Sequence, residues 1–213
     1  MYKALNKISL LIVGAIPKIY DTIKDIWWAK IARLKLEICD SQIGSLRIKG
    51  KYLISIGQGA KVIIGKEVIF GSGPYNSVDN ITCSKIIIQA NAIFSIGDNS
   101  GLSSICINVW NKLIIGKNVN IGAGTFIMDT NFHSKDYLIR QNRILDSKPE
   151  NGFVDTKPII IMDNVFIGAR SIICKGVTIG ANSIIAAGSV VVKNIPNNEI
   201  WGGNPAMFIR IIK

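Results

Sequence analysis

The stretch "IMDNVFIGARSIICKGVTIGANSIIAAGSVV", residues 161–191, places an aliphatic residue at every sixth position. An α-helix does not explain this spacing, because a period of six drifts around a helix of 3.6 residues per turn and the Gly and Asn residues would weaken the helix. The period instead indicates short extended segments that each turn one aliphatic side chain inward. The six inward positions are Ile161, Ile167, Ile173, Ile179, Ile185 and Val191.

The same period occurs upstream, at Val109, Ile115, Ile121 and Ile127, and in shorter interrupted runs at Ile56–Val62–Val68, Ile64–Phe70 and Ile88–Phe94. Three such segments close a triangular coil, and successive coils stack about 4.8 Å apart as parallel strands. Three residues after eight of the ten aliphatics in the two long runs, all but Val109 and Ile127, comes a residue that is Asn or Gly in seven cases. These residues tolerate a left-handed backbone and predict tight corners. The eight positions are Asn118, Gly124, Asn164, Arg170, Gly176, Asn182, Gly188 and Asn194.

The two long runs are out of register, because Ile127 and Ile161 are 34 positions apart, which is not a multiple of six. Residues 128–160 therefore contain an excursion from the coil, and long loops inside a repeat array are usually functional or disordered. This excursion is polar and carries the only histidine of the chain, His133, followed by Arg140 and Arg143. The two arginines either meet an acidic sugar or keep the loop soluble. A smaller departure is predicted at residues 71–85.

The chain is basic, with a formal net charge of +11 and a pI near 9.6, which favours anionic partners. No nucleic-acid-binding motif accompanies this charge, so we expect no nucleic-acid partner. Residues 1–35 contain seven Lys/Arg, the pair Trp27–Trp28 and the apolar run Ile8–Ile16, which is too short to span a bilayer. They predict an amphipathic helix that either lies on the inner membrane surface or packs on the body or on a neighbouring subunit.

The four cysteines, Cys39, Cys83, Cys106 and Cys174, show no CxxC or Cys/His spacing. With one histidine in the chain, this pattern predicts neither a zinc site nor a disulfide framework. We expect the cysteines to be buried small apolar residues of a protein in a reducing compartment.

Three stretches resemble the hexapeptide-repeat acyltransferases, particularly the bacterial sugar O-acetyltransferase branch: "IGKNVNIGAG" (115–124), "VFIGARSIICKGVTIGANSIIAAGSVVVKNIP" (165–196) and "WGGNPA" (201–206). The resemblance covers roughly residues 40–210. It implies an all-β fold, a left-handed parallel β-helix, and a cytoplasmic homotrimer that binds acetyl-CoA between its subunits. We divide the chain into an N-terminal helical segment (1–35), the coil with its excursion (36–195) and a C-terminal tail (196–213).

The resemblance assigns the general base to His133, because family members carry a base histidine on a loop that leaves the coil. A sugar hydroxyl is a poor nucleophile and needs a base with a pKa near the operating pH, which histidine supplies. Asp129 either orients the imidazole, receives a sugar hydroxyl or caps a corner. Ser103 lies near the position where relatives place an acceptor-binding polar residue, although the alignment slips there by one or two residues.

On the donor side, the resemblance places Phe166 beside the acetyl group, the backbone N–H of Ala169 at the developing oxyanion and Ala187 at the pantetheine arm. Lys193 and Arg210 match basic residues near the CoA phosphates. The chain departs from the family at three positions. Phe166 replaces a usual Trp and so lacks an indole N–H, and Val192 and Met207 replace frequent Thr and Arg. Contacts to the adenine or the 3′-phosphate are then weaker or are made by Arg170 or Lys175.

These observations favour transfer of acetyl from acetyl-CoA to a hydroxyl of a sugar, in a bacterial surface polysaccharide or its lipid-linked precursor, without a metal ion. Two alternatives stay open: N-acetylation of an amino sugar, and a trimeric scaffold with weak chemistry. Carbonic anhydrases built on this coil are excluded because they bind zinc through three histidines. Serine acetyltransferases and nucleotidyltransferase fusions are excluded because they carry additional domains that the expected organisation of this chain does not contain.

Overall fold

The structure, a computed structural model, describes residues 23–24, 26–37, 41–73, 84–142 and 152–212. Its strands form three sheets along the three sides of a coil, and up to β18 each turn of the chain adds one strand to each sheet. The result is a parallel β-helix, as the six-residue period predicts.

The strands are short, two to five residues each, and they pair in parallel except at the last step. Sheet 1 contains β1 (Gln42–Ile43), β4 (Lys61–Ile64), β7 (Ile93–Ile96), β10 (Lys112–Ile115), β13 (Ile159–Ile161) and β16 (Thr178–Ile179). Sheet 2 contains β2 (Leu46–Lys49), β5 (Val68–Gly71), β8 (Gly101–Ser103), β11 (Asn120–Ile121), β14 (Phe166–Ile167), β17 (Ile184–Ile185), β19 (Glu199–Gly202) and β20 (Met207–Ile211). Sheet 3 contains β3 (Tyr52–Ile56), β6 (Ser84–Ile88), β9 (Cys106–Val109), β12 (Phe126–Met128), β15 (Ile172–Ile173) and β18 (Val190–Val191).

The aliphatic residues of the repeat form the core. All six positions of the stretch 161–191 are at most 1% exposed. The strand register stacks them in columns, so that Ile121, Ile167 and Ile185 lie above one another in sheet 2. Full burial of an Ile or Val side chain contributes about 1.5–3 kcal/mol, and each column repeats this contribution once per coil.

Seven of the eight predicted corner residues have a left-handed backbone, with φ between 56° and 77°. Arg170, the one position without Asn or Gly, is among them (φ 59°). The exception is Asn194, whose side chain accepts a hydrogen bond from the Thr178 N–H at 2.8 Å. Along the edge between sheets 1 and 2, three corner asparagines each donate an amide hydrogen bond to the asparagine of the next coil, at 2.8–3.0 Å. This asparagine ladder contains Asn118, Asn164, Asn182 and Asn198.

Both predicted departures from the coil are confirmed by the strand register. Ile54 pairs with Ile86 although the two are far more than one coil apart, because the chain leaves the coil between β5 and β6. The long excursion lies between β12 and β13, and below it Ile115 pairs directly with Ile161. The coil thus resumes after each excursion as if the insertion were absent.

The ends of the coil differ. Residues 26–37 form helix α1, whose Ala32 and Leu36 join the core cluster and whose Lys35 donates to the Ile54 carbonyl of the first coil. The predicted segment 1–35 therefore packs on the body through α1, while residues 1–22 lie outside the described part. At the other end, residues 196–213, which the sequence sets apart as a tail, include β19 and β20 of sheet 2.

The prediction that the cysteines are buried is wrong for the two cysteines that the structure describes. Cys106 and Cys174 are half-buried free thiols on the outer side of sheet 3, because each lies next to an inward aliphatic and side chains alternate along a strand. Burial raises the pKa of both thiols. Cys39 and Cys83 lie outside the described residues.

Candidate active site

The excursion that carries His133 is closed at its base by backbone pairing. Thr130 and Thr156 form an antiparallel bridge, the Asn131 N–H donates to the Asp155 carbonyl (3.1 Å), and the Lys157 N–H donates to the Asp129 carbonyl (2.9 Å). The outgoing and returning chains therefore hold each other before the loop opens. These backbone contacts fix the position at which residues 131–136 leave the coil.

Asp129 caps the corner between sheets 3 and 1. Its side chain is 1% exposed, and its carboxylate accepts from the N–H groups of Trp110 (2.7 Å), Asn111 (2.7 Å) and Lys112 (2.8 Å). Burial raises the pKa of this carboxyl, and the N–H donors oppose the rise. Of the three roles that the sequence leaves open, the hydrogen bonds show the corner cap. A carboxylate this buried does not reach a sugar hydroxyl. The prediction that Asp129 binds the acceptor is corrected accordingly.

We expect Asp129→Ala to destabilise the protein by about 3 kcal/mol or more, because each buried N–H left without an acceptor costs about 1–3 kcal/mol. Asp163→Ala is the matched control, since the exposed Asp163 carboxylate accepts one backbone hydrogen bond, from Lys117. We expect about 1 kcal/mol for that variant. Urea unfolding of both variants measures the difference, and equal losses would contradict the cap.

Phe132, directly before His133, has a left-handed backbone with φ 61°. This conformation is unusual for a bulky residue and costs about 1–3 kcal/mol, and such strain clusters at active sites. Two contacts hold it: the Phe132 ring packs edge-on against Trp110 at 5.8 Å between centroids, and the Phe132 N–H donates to the Thr130 hydroxyl at 3.1 Å. The exposed His133 is therefore presented from a constrained turn.

The residues after His133 are also held. Arg140 donates to the carbonyls of Ser134 (2.6 Å) and Lys135 (2.7 Å), and the Asp136 carboxylate caps helix α2 (Tyr137–Gln141). Lys135 forms an ion pair with Asp155, which lowers the pKa of that carboxyl. Arg140, expected either to meet an acidic sugar or to solubilise the loop, thus braces the turn. Arg143 lies outside the described residues.

The predicted donor-side residues lie at another edge of the coil, between sheets 2 and 3. Phe166 is on the outer side of sheet 2, between Asn120 and Ile184, and is 48% exposed. Ala169 forms the corner three residues later, and Ala187 forms the same corner one coil further on. The coils touch closely there, since a Cβ on Gly168 would lie 2.4 Å from the Ala187 nitrogen.

The backbone N–H groups at this edge differ from those at the edge between sheets 1 and 2. At the latter, the N–H groups of Lys117 and Ala181 donate to the side chains of Asp163 (2.8 Å) and Asn197 (2.9 Å) of the following coil. Ala169 and Ala187 are stacked at the matching place in their own corners, and their N–H groups meet no acceptor in the described part of the chain. Two N–H donors are therefore left for a ligand's carbonyl oxygens.

A groove of about 190 Å³ opens at the same edge, one to two coils before Ala169. Ser104, which adopts φ 42° and whose hydroxyl has no hydrogen-bond partner, directly follows the predicted acceptor residue Ser103. Sequence reasoning missed the groove, because its residues come from three separated strands and their corners. It is lined by Lys85, Ser104, Ile105, Cys106, Gly124, Thr125 and Phe126.

The remaining predicted residues lie at the C-terminal end of the coil. Lys193 follows β18, and Arg210 lies in β20 opposite Ile200; both side chains are exposed. Within one protomer the structure brings Phe166, Ala169 and Ala187 to one edge but not His133, whose loop leaves from the edge between sheets 3 and 1. In the residues that the structure describes, no group of three or more His, Cys, Asp or Glu side chains could hold a metal ion.

Residues 158–193 match the family model "Hexapeptide repeat of succinyl-transferase". A protein of Schizosaccharomyces pombe that is named as an acetyltransferase is 39% identical over 107 residues, which is 50% of this chain and 44% of that protein. The mitochondrial gamma carbonic anhydrase 2 of Arabidopsis thaliana is 34% identical over 100 residues, 44% of this chain and 36% of that protein. The chain spans less than half the length of these curated relatives.

Among solved structures, the hexapeptide-repeat-containing acetyltransferase VCA0836 of Vibrio cholerae is 25% identical, with a TM-score of 0.54 over 89% of this chain and 93% of that one. A maltose O-acetyltransferase of Clostridium difficile is 23% identical, with a TM-score of 0.53 over 92% and 88%. The coil is thus the left-handed parallel β-helix of hexapeptide repeats. Residues 158–193 thus carry the hexapeptide repeat, and the chain is similar in fold to hexapeptide-repeat acetyltransferases.

Proposed function

We propose that the protein transfers acetyl from acetyl-CoA to a hydroxyl of a sugar, with His133 as general base. The observation that carries the proposal is the presentation of His133 directly after the strained Phe132, at the one long excursion of the coil. A constrained turn that presents an exposed imidazole favours catalysis over the scaffold alternative.

In the proposed reaction His133 takes the proton of the acceptor hydroxyl while the hydroxyl oxygen attacks the thioester carbonyl carbon. The new oxyanion is stabilised by a fixed N–H donor, which we assign to the backbone of Ala169. Collapse breaks the carbon–sulfur bond, and the leaving thiolate of CoA takes the proton from the imidazolium. The products are the sugar acetyl ester and CoA.

The donor lies along the edge between sheets 2 and 3 in this proposal. The N–H of Ala187 donates to a pantetheine carbonyl, and Lys193 and Arg210 bind CoA phosphates. Phe166 contacts the acetyl group without a hydrogen bond. Arg170, exposed at the same edge, is a candidate to replace the phosphate contacts that Val192 and Met207 do not make.

We propose a homotrimer with active sites between subunits, because the loop of His133 leaves the coil between sheets 3 and 1, whereas Ala169 lies at the edge between sheets 2 and 3. The loop of one subunit then reaches the open N–H groups of the next. The acceptor lies in the groove beside Ser103, where Phe126 offers an apolar face to a sugar ring and Lys85 offers a cation to an acidic one. A bacterial surface polysaccharide or its lipid-linked precursor fits these features, and the enzyme then works in the cytoplasm, at the inner membrane surface.

The test is CoA release from acetyl-CoA in the presence of candidate sugars, with the product identified by mass spectrometry. We expect an ester on a neutral or acidic sugar. An amide on an amino sugar would replace O-acetylation by N-acetylation. If calorimetry detected no acetyl-CoA binding, the proposed enzymatic function would be refuted and the scaffold alternative would remain.

We expect Lys193→Ala and Arg210→Ala each to weaken acetyl-CoA binding about two- to fivefold, the value of an exposed charge contact. The turnover number at saturating donor should change little, because the phosphates lie far from the reacting carbon. Lys61→Ala, an exposed lysine of the second coil, is the control. If it weakened binding as much as the other two, general charge and not these contacts would be responsible.

A further inference from the structure

We propose that helix α1 holds the protein on an anionic phospholipid surface through the side of the helix that faces away from the coil. The structure describes the opposite side as docked: Ala32 and Leu36 are buried against the first coil, and Lys51 lies over the Trp28 ring at 4.5 Å. This packing orients the helix and determines which side chains face outward.

The outward side is apolar along its centre. Ile23, Trp27 and Leu34 fall within about 40° of one another at about 100° per residue, opposite Ala32. Trp27 is 57% and Leu34 is 55% exposed, so these large side chains meet solvent where a docked helix should be polar. An exposed apolar stripe of this kind marks an interaction surface.

Basic residues flank the stripe. Lys30 lies within it, and Arg33 lies to one side, where its guanidinium forms an ion pair with Glu37 at 2.9 Å. Arg47 and Lys49 of the first coil are also exposed. Residues 1–56 contain ten Lys/Arg and four Asp/Glu, which gives +6 of the total charge of +11. Aromatic and aliphatic side chains between cations match an anionic lipid surface, where the apolar groups enter the interface and the cations meet headgroup phosphates.

The described residues contain no helix with the length and hydropathy needed to cross a bilayer. The contact proposed here is peripheral, because it uses one side of a helix whose other side is docked on the coil. The docked helix α1 then lies flat on the membrane, and this contact determines the orientation of the coil axis relative to the membrane. The first coil faces the lipid, and β20 lies at the far end of the stack. The proposal extends the proposed function to a membrane-bound acceptor, but membrane binding itself requires no turnover.

Flotation of the full-length protein with vesicles tests the proposal. We compare phosphatidylcholine alone with phosphatidylcholine mixed with phosphatidylglycerol, at low and high salt. We expect binding to the anionic vesicles only, weakened by salt. Trp27→Ala with Leu34→Ala should reduce the partition coefficient about tenfold to a hundredfold, and Lys30→Ala with Arg33→Ala about tenfold.

The matched control is Met207→Ala with Ile211→Ala, which removes equally exposed apolar side chains (59% and 63%) from the far end of the coil. It should leave vesicle binding unchanged. Wild-type protein that ignores anionic vesicles, or a Trp27/Leu34 variant that binds like wild type, would overturn the proposal. Acetyl transfer to a soluble sugar is measured separately in each variant, so failure of membrane binding and failure of catalysis are distinguishable.

Discussion

His133→Ala should reduce acetyl transfer about a hundredfold to ten-thousandfold, the range that a positioned general base contributes. The imidazole is exposed at the turn after Phe132, so its removal opens no cavity in the coil and the melting temperature should stay unchanged. Donor binding should also persist, because the N–H groups of Ala169 and Ala187 lie at another edge. The loss should therefore fall on the turnover number. Measurement of initial rates at saturating acetyl-CoA, with calorimetric binding in parallel, tests all three statements.

Tyr137→Ala provides the comparison for this variant, because Tyr137 is exposed on the same excursion, in α2, and has no assigned role in the chemistry. It should transfer acetyl at close to the wild-type rate. Undiminished transfer by His133→Ala would remove the base from the mechanism. An equal loss in both variants would point to damage of the loop and not to the loss of a proton acceptor.

Gly168→Ala should cause the largest loss of stability among single methyl additions at the donor edge. A Cβ at Gly168 would lie 2.4 Å from the Ala187 nitrogen and 2.7 Å from its Cα, and these backbone atoms have no rotamer by which to withdraw. The coils would have to separate locally. We expect a cost of about 3 kcal/mol or more, at the upper end of overpacking. The same shift would displace both N–H donors, so acetyl-CoA binding should weaken as well.

Gly188→Ala separates steric contact from backbone conformation. Gly188 has φ 72°, which an alanine adopts at a cost of about 1–2 kcal/mol, but nothing lies within 4 Å of its Cβ position. Thermal and urea unfolding of the two variants should rank Gly168→Ala well below Gly188→Ala. The reverse order would mean that the left-handed turn, and not the close approach of the coils, makes glycine necessary at this edge.

The repeat was readable from the sequence because each coil uses the same inward position, so one side chain every six residues reports the whole architecture. Seven of the eight predicted corner residues have the left-handed backbone for the same reason. Even the register break between Ile127 and Ile161 was visible, since an insertion shifts the phase of a period. A feature that recurs at a fixed spacing can therefore be recognised in the sequence without the structure.

The site was less readable because its contacts join residues whose separation follows no period. The Asp129 carboxylate serves a corner almost twenty residues earlier, and its three donors are backbone groups that any sequence supplies. Phe132 resembles an ordinary loop aromatic until its φ angle and its packing on Trp110 are known. The open N–H groups of Ala169 and Ala187 depend on which side chain stacks on each corner, and that follows only from the coil-to-coil register.

The reversal of β20 has a consequence for self-assembly. A parallel coil that simply stopped would leave unpaired backbone groups at both ends, and a second molecule could continue it as a filament. In this chain α1 covers the first coil, and β20 runs antiparallel to β19, so a further parallel turn added to sheet 2 would meet a strand of the wrong direction. Coils therefore stack within one molecule, but α1 and β20 stop a second molecule from continuing the stack.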